Sequence, residues 1–304
     1  MLDSRVDTFL AVCRTLNYTH AARELNLTQS AVSQHMAHLE RAYGVKLVAI
    51  EGKSMRLTEE GMLLQRAFQS FSHDEALLRR RIAACSPKDV VHLNVGTTLT
   101  AGEYIVAPAL ARFLRKNPRM HVSVTSRSTE ELLALMGKGA IDCAFLEGFF
   151  EKDAYVWDLL CEQELVGVCA ADHPLAHRTS CRMEDLLDVS LVVRERESGS
   201  RAVFEHALRR NNLSISSFSS VIEASSIGII KSFVEAGLGV SFIYEAAVAS
   251  EIAAGRLARI PLKGDAIMHD ISFVRLESPV FEEDFKAFFD GVRSEFLADG
   301  RSAA

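Results

Sequence analysis

Residues 17–43 constrain the fold of this chain more than any other stretch, because they predict two short helices around a tight turn. Thr19 is placed to cap a first helix over residues 20–25, and Thr28 to cap a second over residues 29–43. Threonine hydroxyls suit both positions, since they accept hydrogen bonds from the free N–H groups at a helix start. The stretch therefore predicts a compact helical hairpin.

The two faces of the second predicted helix differ in chemistry. One face is apolar, and the opposite face is small and polar, with Glu40 as the only acid of the helix. Such a polar face suits the major groove, where hydroxyls and amides meet base edges, whereas an ordinary surface hairpin usually carries mixed charges. The polar face consists of Ser30, Ser33, Gln34, Ala37 and Arg41, and the apolar face of Val32, Met36, Leu39 and Tyr43.

Four short motifs span and follow the hairpin in one order. They are Ala-Ala-Arg-Glu-Leu, Thr-Gln-Ser-Ala-Val-Ser, Gly-Val-Lys-Leu and Leu-Thr-Glu-Glu-Gly. Over residues 6–61 this series closely resembles the N-terminal domain of LysR-type transcriptional regulators. The resemblance implies a winged helix-turn-helix over residues 1–58, with double-stranded operator DNA as its partner.

The polar face and the resemblance together predict which side chains meet DNA. Phosphate contacts position a recognition helix, and base-edge contacts specify the sequence. The predicted base readers are Gln29, Ser30, Ser33 and Gln34, and the predicted phosphate contacts are Thr19, Thr28, Arg41, Lys53 and Arg56.

The predicted wing departs from the family pattern. Related chains usually carry a Phe, then an Arg, then Gly-Arg in this segment, and that Arg belongs to the part of the wing that touches the DNA backbone. This chain has Val48 and Ile50, followed by Gly-Lys. Wing contacts are therefore expected to rest on Lys53 and Arg56.

Residues 59–87 predict one long helix that ends in a break at Pro87. Apolar side chains recur along it every seven residues, which is the spacing of a coiled-coil seam, and the charged residue Glu75 interrupts this seam at one position. A helix that lies on its own domain is the alternative. We expect this linker to form a dimer, which the resemblance extends to a homotetramer. The predicted seam consists of Leu64, Phe68, Phe71, Leu78 and Ile82.

Over residues 88–304 predicted strands alternate with predicted helices, which indicates a largely parallel α/β sheet covered on both faces. Motifs such as Asn-Val-Gly-Thr-Thr and Gly-Ala-Ile-Asp-Cys-Ala resemble the effector-binding domain of the same family. The resemblance implies two α/β lobes of periplasmic-binding-protein type, joined by two crossing strands, with a ligand between them. One lobe would hold about 88–162 and 266–304, and the other about 163–265.

Charge is unevenly distributed along the chain, whose net charge is −6. Residues 1–87 hold 11 Lys and Arg against 9 Asp and Glu, a net +2, whereas residues 88–304 hold 23 against 31, a net −8. A positive head on an acidic body suits a module that docks on duplex DNA while the rest stays off it.

Other sequence signals bound the location and the chemistry. No apolar run reaches the length of a membrane span and no signal peptide is evident, so we expect a cytoplasmic protein without membrane contact. Six cysteines without a Cys-x-x-Cys motif favour reduced, mostly buried thiols. The pairs His35/His38 and His173/His177 lack a third ligand nearby in sequence, so we expect no metal, and no cofactor is predicted.

Hydroxyl groups mark the predicted ligand cleft. In open α/β sheets ligands bind beyond the carboxyl ends of strands and next to helix starts, where hydroxyls and free N–H groups bind an oxyanion. Capping of the adjacent helix is the simpler role for each hydroxyl alone. We expect a small anionic effector, with a neutral or aromatic effector bound by Phe145, Phe149 and Phe150 as the rival. The predicted effector contacts are Thr98, Thr100, Ser128, Ser198, Ser200 and Ser225.

Three classes of function stay open on sequence grounds, led by a ligand-responsive transcription factor. The second is a binding or scavenging protein whose head only oligomerises it, and the third is an α/β transferase or lyase. The chain has neither a Gly-x-Ser-x-Gly elbow nor a phosphate loop, which argues against an enzyme. The resemblance adds RNA polymerase as a further partner.

Overall fold

The computed structural model describes residues 3–51, 54–83, 91–264 and 266–298. Its helices are α1 (Ser4–Thr15), α2 (Tyr18–Glu24), α3 (Gln29–Tyr43), α4 (Glu59–Ala83), α5 (Leu99–Ala101), α6 (Ala107–Lys116), α7 (Thr129–Gly137), α8 (Gly199–Arg210), α9 (Ile227–Glu235), α10 (Glu245–Ala253) and α11 (Glu282–Leu297). Its strands are β1 (Val48–Glu51), β2 (Ser54–Leu57), β3 (Val91–Thr97), β4 (Met120–Ser126), β5 (Cys143–Leu146), β6 (Val156–Ala170), β7 (Leu191–Arg194), β8 (Val221–Ala224), β9 (Ser241–Tyr244), β10 (Leu257–Arg259) and β11 (Ile267–Arg275).

Helices α1 to α3 and the β1–β2 hairpin form an N-terminal head. Apolar side chains of the three helices meet in one core, which includes Phe9, Val32 and Met36. Strands β1 and β2 pair antiparallel as a wing. This arrangement confirms the expected winged helix-turn-helix.

The caps of the helical hairpin are only partly those predicted. Thr28 caps α3, because its hydroxyl accepts a hydrogen bond from the N–H of Ala31 at 3.1 Å. Thr19 does not cap α2. That role belongs to Asn17, whose amide oxygen accepts from the N–H groups of Thr19 and His20 at 2.8 and 3.1 Å. Because Asn17 satisfies two free donors at once, α2 begins before Thr19.

The first half of α4 packs into the head rather than along an exposed seam. Phe68 is only 7% exposed, and its ring meets Phe9 edge-on with 5.8 Å between centroids. Gly61 lies against the backbone of Leu47, where an added Cβ would come within 2.1 Å of the carbonyl oxygen. Leu64 packs against the same core. Only glycine permits this close approach of α4 to the wing.

The second half of α4 lies on the body, which we define as residues 91–298 of the described chain. Leu77 is 1% exposed and belongs to a core of the body. The opposite side of this half carries apolar side chains that face solvent in the single chain. These are Phe71, Leu78 and Ile82, which are 52%, 46% and 62% exposed. The predicted seam is therefore divided, and only its C-terminal part stays available to a second chain.

The body contains a seven-stranded sheet that serves two lobes. In the first lobe β3 pairs parallel with β4 and β5. Helix α7 lies on one face, and on the other lies one continuous helix built from α5, a π-helical turn over Gly102–Val106 and α6, packed against α11. In the second lobe β7 pairs parallel with β8, and the rings of Phe204 and Phe242 stack at 4.1 Å in its core.

Strands β6 and β11 run through both lobes and differ from the largely parallel sheet that we expected. Strand β11 pairs antiparallel with β6 along its whole length, covering residues 156–165 of β6, and β11 also pairs antiparallel with β5. Strands β9 and β10 pair antiparallel with β6, and β10 was not predicted. The alternation of strands and helices predicted the parallel strand pairs. It could not predict the antiparallel pairing of β6 and β11, because these crossing strands link the lobes and do not belong to a strand–helix–strand unit.

Candidate DNA-binding and effector sites

The N-terminal half of α3 presents a polar face to solvent. Gln29, Ser30, Ser33 and Gln34 are all exposed, whereas the apolar side of the helix is buried in the head core. Tyr43, expected on the apolar side, is 51% exposed and meets only the edge of another ring. The four predicted base readers thus lie on one open surface of the head.

The predicted phosphate contacts within the described residues are all exposed. Arg41 is exposed and donates from Nε to a carbonyl of its own helix at 3.1 Å. Arg56 is exposed on β2, and Thr28 and Thr19 are exposed near the starts of α3 and α2. Lys53 lies outside the described residues.

Two histidines of α3 hold that helix on α1, which sequence reasoning missed. His35 Nδ1 lies 2.8 Å from the hydroxyl of Thr8, and Nη1 of Arg5 lies 2.7 Å from His38 Nε2. Their one-turn spacing, set beside an amphipathic preceding helix, is the signal that marks them. These two contacts position α3 on α1.

Glu40, the only acid on α3, ties the helix to the start of the wing. Its carboxylate accepts from the N–H of Leu47 at 3.1 Å and from the ammonium of Lys46 at 2.6 Å. The negative charge is thereby compensated and kept away from the polar face.

A cavity of about 240 Å³ lies between the two lobes. Its wall forms where β3, β4, β5 and β7 end, which is where ligands of open α/β sheets bind. A larger cavity of about 630 Å³ opens elsewhere, beside Arg210 and Lys263. Both lobes contribute to the smaller cavity, which is lined by Thr98, Leu99, Ser126, Arg127, Ser128, Glu131, Glu147, Arg194, Glu195, Glu197, Ser198 and Gly199.

Three of the six predicted effector residues line this cavity, and only one of the three hydroxyls caps a helix. Ser128 caps α7 in a reciprocal pair with Glu131. Thr98 and Ser198 make no capping hydrogen bond with their side chains. The Thr98 hydroxyl instead accepts from the N–H of Glu147 at 3.2 Å.

The other three predicted residues lie off the wall. Thr100 and Ser200 are buried directly behind it: Thr100 accepts from Nη1 of Arg194 at 3.2 Å, and the Ser200 hydroxyl lies 3.0 Å from that of Ser198. Ser225 is exposed after β8 and does not reach this cavity. The loop after β8, which carries Ser225, therefore does not meet the loops that carry Thr98, Ser128 and Ser198 at the cavity.

Charged groups dominate the wall of this cavity. Arg194 is 5% exposed, and its guanidinium forms two hydrogen bonds of 2.8 and 2.7 Å with the carboxylate of Glu195. Glu147 is 1% exposed, and burial raises its pKa to about 7, although the charge of Arg194 lowers it. Its position directly after β5 is the sequence signal that marks it.

The three phenylalanines that were expected to bind a neutral or aromatic effector do not form the wall of this cavity. Phe145 is buried in the first-lobe core, and Phe150 packs against Tyr155 on the far side of the sheet. Phe149 is 55% exposed and contacts the rings of His206 and His269. These three phenylalanines therefore do not form an aromatic cage around the cavity.

Other chemical features are limited in the described part of the chain. No cluster of three or more His, Cys, Asp or Glu side chains suited to a metal ion occurs there. The five cysteines that it contains are free and buried, whereas Cys85 lies outside it. None of its helices combines the length and apolar character of a membrane span.

These features define a class of protein: a winged helix-turn-helix head, joined by a long helix to a two-lobed ligand-binding body. Residues 4–62 match the family model described as bacterial regulatory helix-turn-helix protein, lysR family, and residues 90–297 match the LysR substrate binding domain. The chain belongs to the LysR family, whose members are DNA-binding transcriptional regulators with an effector-binding domain.

Similar proteins agree with this assignment. The transcriptional activator CmpR of Synechocystis is 30% identical over 85% of this chain and 84% of its own length. An H2O2-bound OxyR mutant of Corynebacterium glutamicum superposes with a TM-score of 0.63 at 24% identity, covering 97% of this chain and 92% of that one. The CcmR regulatory domain of Synechocystis in complex with 2-PG gives 0.59 at 22% identity, covering 67% and 96%. The curated relatives of this chain are transcriptional regulators by name.

Proposed function

We propose that this regulator reads operator DNA with the N-terminal half of α3 and alters its DNA binding when a small anion occupies the cavity between the lobes. The observation that carries the first part is the open polar face of α3. Within the described residues, Gln29, Ser33 and Gln34 make no side-chain hydrogen bond to the rest of the protein. These groups are free to bond base edges, while Thr19, Thr28, Arg41, Lys53 and Arg56 contact phosphates.

Two heads act together. Phe71, Leu78 and Ile82 form an exposed apolar stripe on α4, which supports a dimer through this helix and a homotetramer as a dimer of dimers. Linked heads dock on half-sites that are separated by whole helical turns of DNA.

The anionic effector is supported by the donors at the cavity. Arg127 is exposed at its edge, and the N-terminus of α7, where Ser128 caps the N–H of Glu131, presents the positive end of the helix dipole to the cavity. The CcmR regulatory domain has been determined with 2-PG, which places a small ligand in the body of a related fold. Thr98, Ser128 and Ser198 would contact the anion directly, and Thr100 and Ser200 would support the wall. Ser225 does not line the cavity and is not among these contacts.

The chain divides into residues 1–58, 59–87 and 88–304, which we assign to DNA binding, dimerisation and effector binding. The crossing of β6 and β11 supports lobe limits near residues 162 and 266. As a regulator of transcription it would work in the cytoplasm beside the DNA and contact RNA polymerase at the promoter.

Selection of bound duplexes from a random pool tests the proposal. The full-length protein should enrich one partly palindromic sequence and bind it roughly 10³-fold or more tightly than unrelated duplex at physiological salt. An anion that stabilises the protein should then change this affinity, because it binds the two lobe arrangements unequally. Enrichment of no sequence would contradict the proposal.

A further inference from the structure

The carboxyl group of Glu147 is the least satisfied polar group of the cavity. The side chain lies directly after β5, at 1% exposure, and lines the cavity. Within the part of the chain that the structure describes, its buried Oε2 atom has no hydrogen-bond partner. Leaving a buried carboxyl oxygen without a donor costs roughly 1–3 kcal/mol, and more when it is charged, so such a group is a candidate ligand contact.

The neighbours of Glu147 leave this oxygen for a ligand. The Thr100 side chain and the Ser200 N–H hydrogen-bond to the carboxyl group, and the positive charge of Arg194 faces it. That guanidinium is shared with Glu195, however, because its Nε and Nη2 donate to the Glu195 carboxylate and its Nη1 donates to Thr100. Tyr244 also faces the group, and its own hydroxyl has no partner within the described residues.

Close contact between the lobes fixes the carboxyl group in place. An added Cβ at Gly199 would lie 2.8 Å from both the Cγ and the carbonyl oxygen of Glu147. Similarly, an added Cβ at Gly148 would lie 3.0 Å from the Cα of Gly199. The second lobe thus presses on Glu147, which cannot turn away from an incoming ligand without separating the lobes.

We propose that Glu147 selects the effector by accepting a hydrogen bond from it, so that the effector is a small anion that carries its own hydrogen-bond donor. Protonated oxyanions and hydroxy acids have this chemistry, and so does the carboxylate of an amino acid, whose donor is an ammonium that makes the molecule a zwitterion. Sulfate and simple carboxylates do not. The inference rests on the proposed effector cavity and narrows its ligand class. A donor-free anion would bring a second negative charge against the buried carboxylate, while a donor-bearing anion would satisfy it. A site that accepts a hydrogen bond from its ligand discriminates by large factors against an analogue that lacks the donor, because the buried acceptor is then left without a partner.

Matched pairs of anions test this selection. Phosphate carries a proton at neutral pH and sulfate carries none; glycolate and glycine each add a donor to the acetate frame. Affinities of the full-length protein are measured by calorimetry at pH 8 and constant ionic strength, at millimolar ligand to avoid the general stabilisation by sulfate and phosphate. We expect the donor-bearing member of at least one pair to bind about tenfold or more tightly than its partner. The pair that shows the preference tells whether the donor is a protonated oxyanion, a hydroxyl or an ammonium.

Two variants separate the role of Glu147 from general charge. Glu147→Gln replaces the carboxylate by an amide that also donates, so the preference should fall to nearly equal binding. Glu283→Gln removes one charge from an exposed position on α11, away from the cavity, and should keep the preference. If Glu147→Gln does not fold, the wild-type protein at pH 6 serves instead. Burial raises the pKa of Glu147 to about 7, so at pH 6 the carboxyl group is itself a donor and the preference should weaken.

Equal binding within all pairs by the wild-type protein would overturn the inference about Glu147 and leave an anion-binding cavity in place. Retention of the preference in Glu147→Gln would overturn it as well. Binding of an uncharged ligand alone, with no anion bound, would overturn both the inference and the proposed anionic effector.

Discussion

The hydroxyl of Ser278 donates a hydrogen bond of 2.5 Å to the carboxylate of Asp74. The segment after β11 is thereby tied to α4, the helix that leaves the DNA-binding head. One turn earlier on α4, the hydroxyl of Ser70 donates to the carbonyl of Glu277. These contacts join the effector-binding body to the linker, and they offer a route by which a change between the lobes reaches the head.

Loss of this tie should loosen α4 from the body. Burial raises the pKa of Asp74 and the bond from Ser278 lowers it, so Ser278→Ala leaves a half-buried carboxylate without that donor. We expect the free energy of unfolding at pH 7 to fall by about 1 kcal/mol, measured with urea. Hydrogen exchange should rise in the second half of α4 and not in α3. Ser216→Ala, at an exposed turn, is the control and should change neither.

Two phenylalanines of α4 lie on different sides of the predicted seam, so their substitution should change different properties: the oligomeric state for Phe71 and the stability of the head for Phe68. Phe71→Glu places a charge on the exposed stripe and should turn the oligomer towards monomers in sedimentation, without loss of helical signal. Phe68→Ala should instead destabilise the head by about 3–5 kcal/mol, because Phe68 is buried against Phe9. A wild-type monomer at micromolar concentration would show that the stripe is not an interface.

Gly199→Ala should hinder closure of the lobes. Its Cβ would meet the side chain and backbone of Glu147 at 2.8 Å, so either the lobes separate or Glu147 moves. Anion affinity in calorimetry should fall by about tenfold or more, since a displacement of roughly 1 Å disrupts a positioned site. Gly228→Ala is the matched control, because its Cβ would meet only the Ser226 hydroxyl at an ordinary 3.6 Å. Equal losses in both variants would mean that closure against Glu147 is unimportant.

The raised pKa of Glu147 makes stability depend on pH. Its value of about 7 in the folded protein exceeds the ordinary 4.5, so the folded state holds the proton more tightly than the unfolded state. Below pH 4.5 the carboxyl group of Glu147 is protonated in both states, so burying it does not lower the free energy of unfolding through ionisation. The free energy of unfolding should fall as pH rises from 4.5 to 7, by up to about 3 kcal/mol. Glu147→Gln should therefore raise the Tm at pH 8 and not at pH 4.5, as measured by calorimetry without ligand.

Local chemistry explains which elements could be predicted from the sequence. The bounds of α3 follow from a threonine cap and from Gly44, which ends the helix at a φ of 71°. The start of α2 was missed because Asn17 and Thr19 are both cap-forming residues two positions apart. Only the structure shows that the Asn17 side chain takes both free N–H groups.

Long-range packing explains what could not be predicted. A seven-residue repeat does not reveal that Phe68 faces the head while Phe71 faces solvent, because the head and the body cover different turns of α4. The hydroxyls of Thr98 and Ser198 were found from their places at strand ends. The position of Glu147 directly after β5 marks it as a candidate. Its burial and its charge partner, however, depend on Gly199 and Arg194 of the other lobe, about fifty residues away in sequence, and no local pattern reports these contacts.

The central claim is that α3 reads the sequence of duplex DNA, and binding of Ser33→Ala/Gln34→Ala to the selected duplex tests it most directly. Affinity for this duplex and for an unrelated one is measured by fluorescence anisotropy at two salt concentrations. The double variant should lose about 1–3 kcal/mol per lost base contact on the selected duplex only, and should keep the salt dependence that phosphate contacts impose. Gln163→Ala, on β6, is the control. Unchanged affinity and unchanged sequence preference in the double variant would contradict the account.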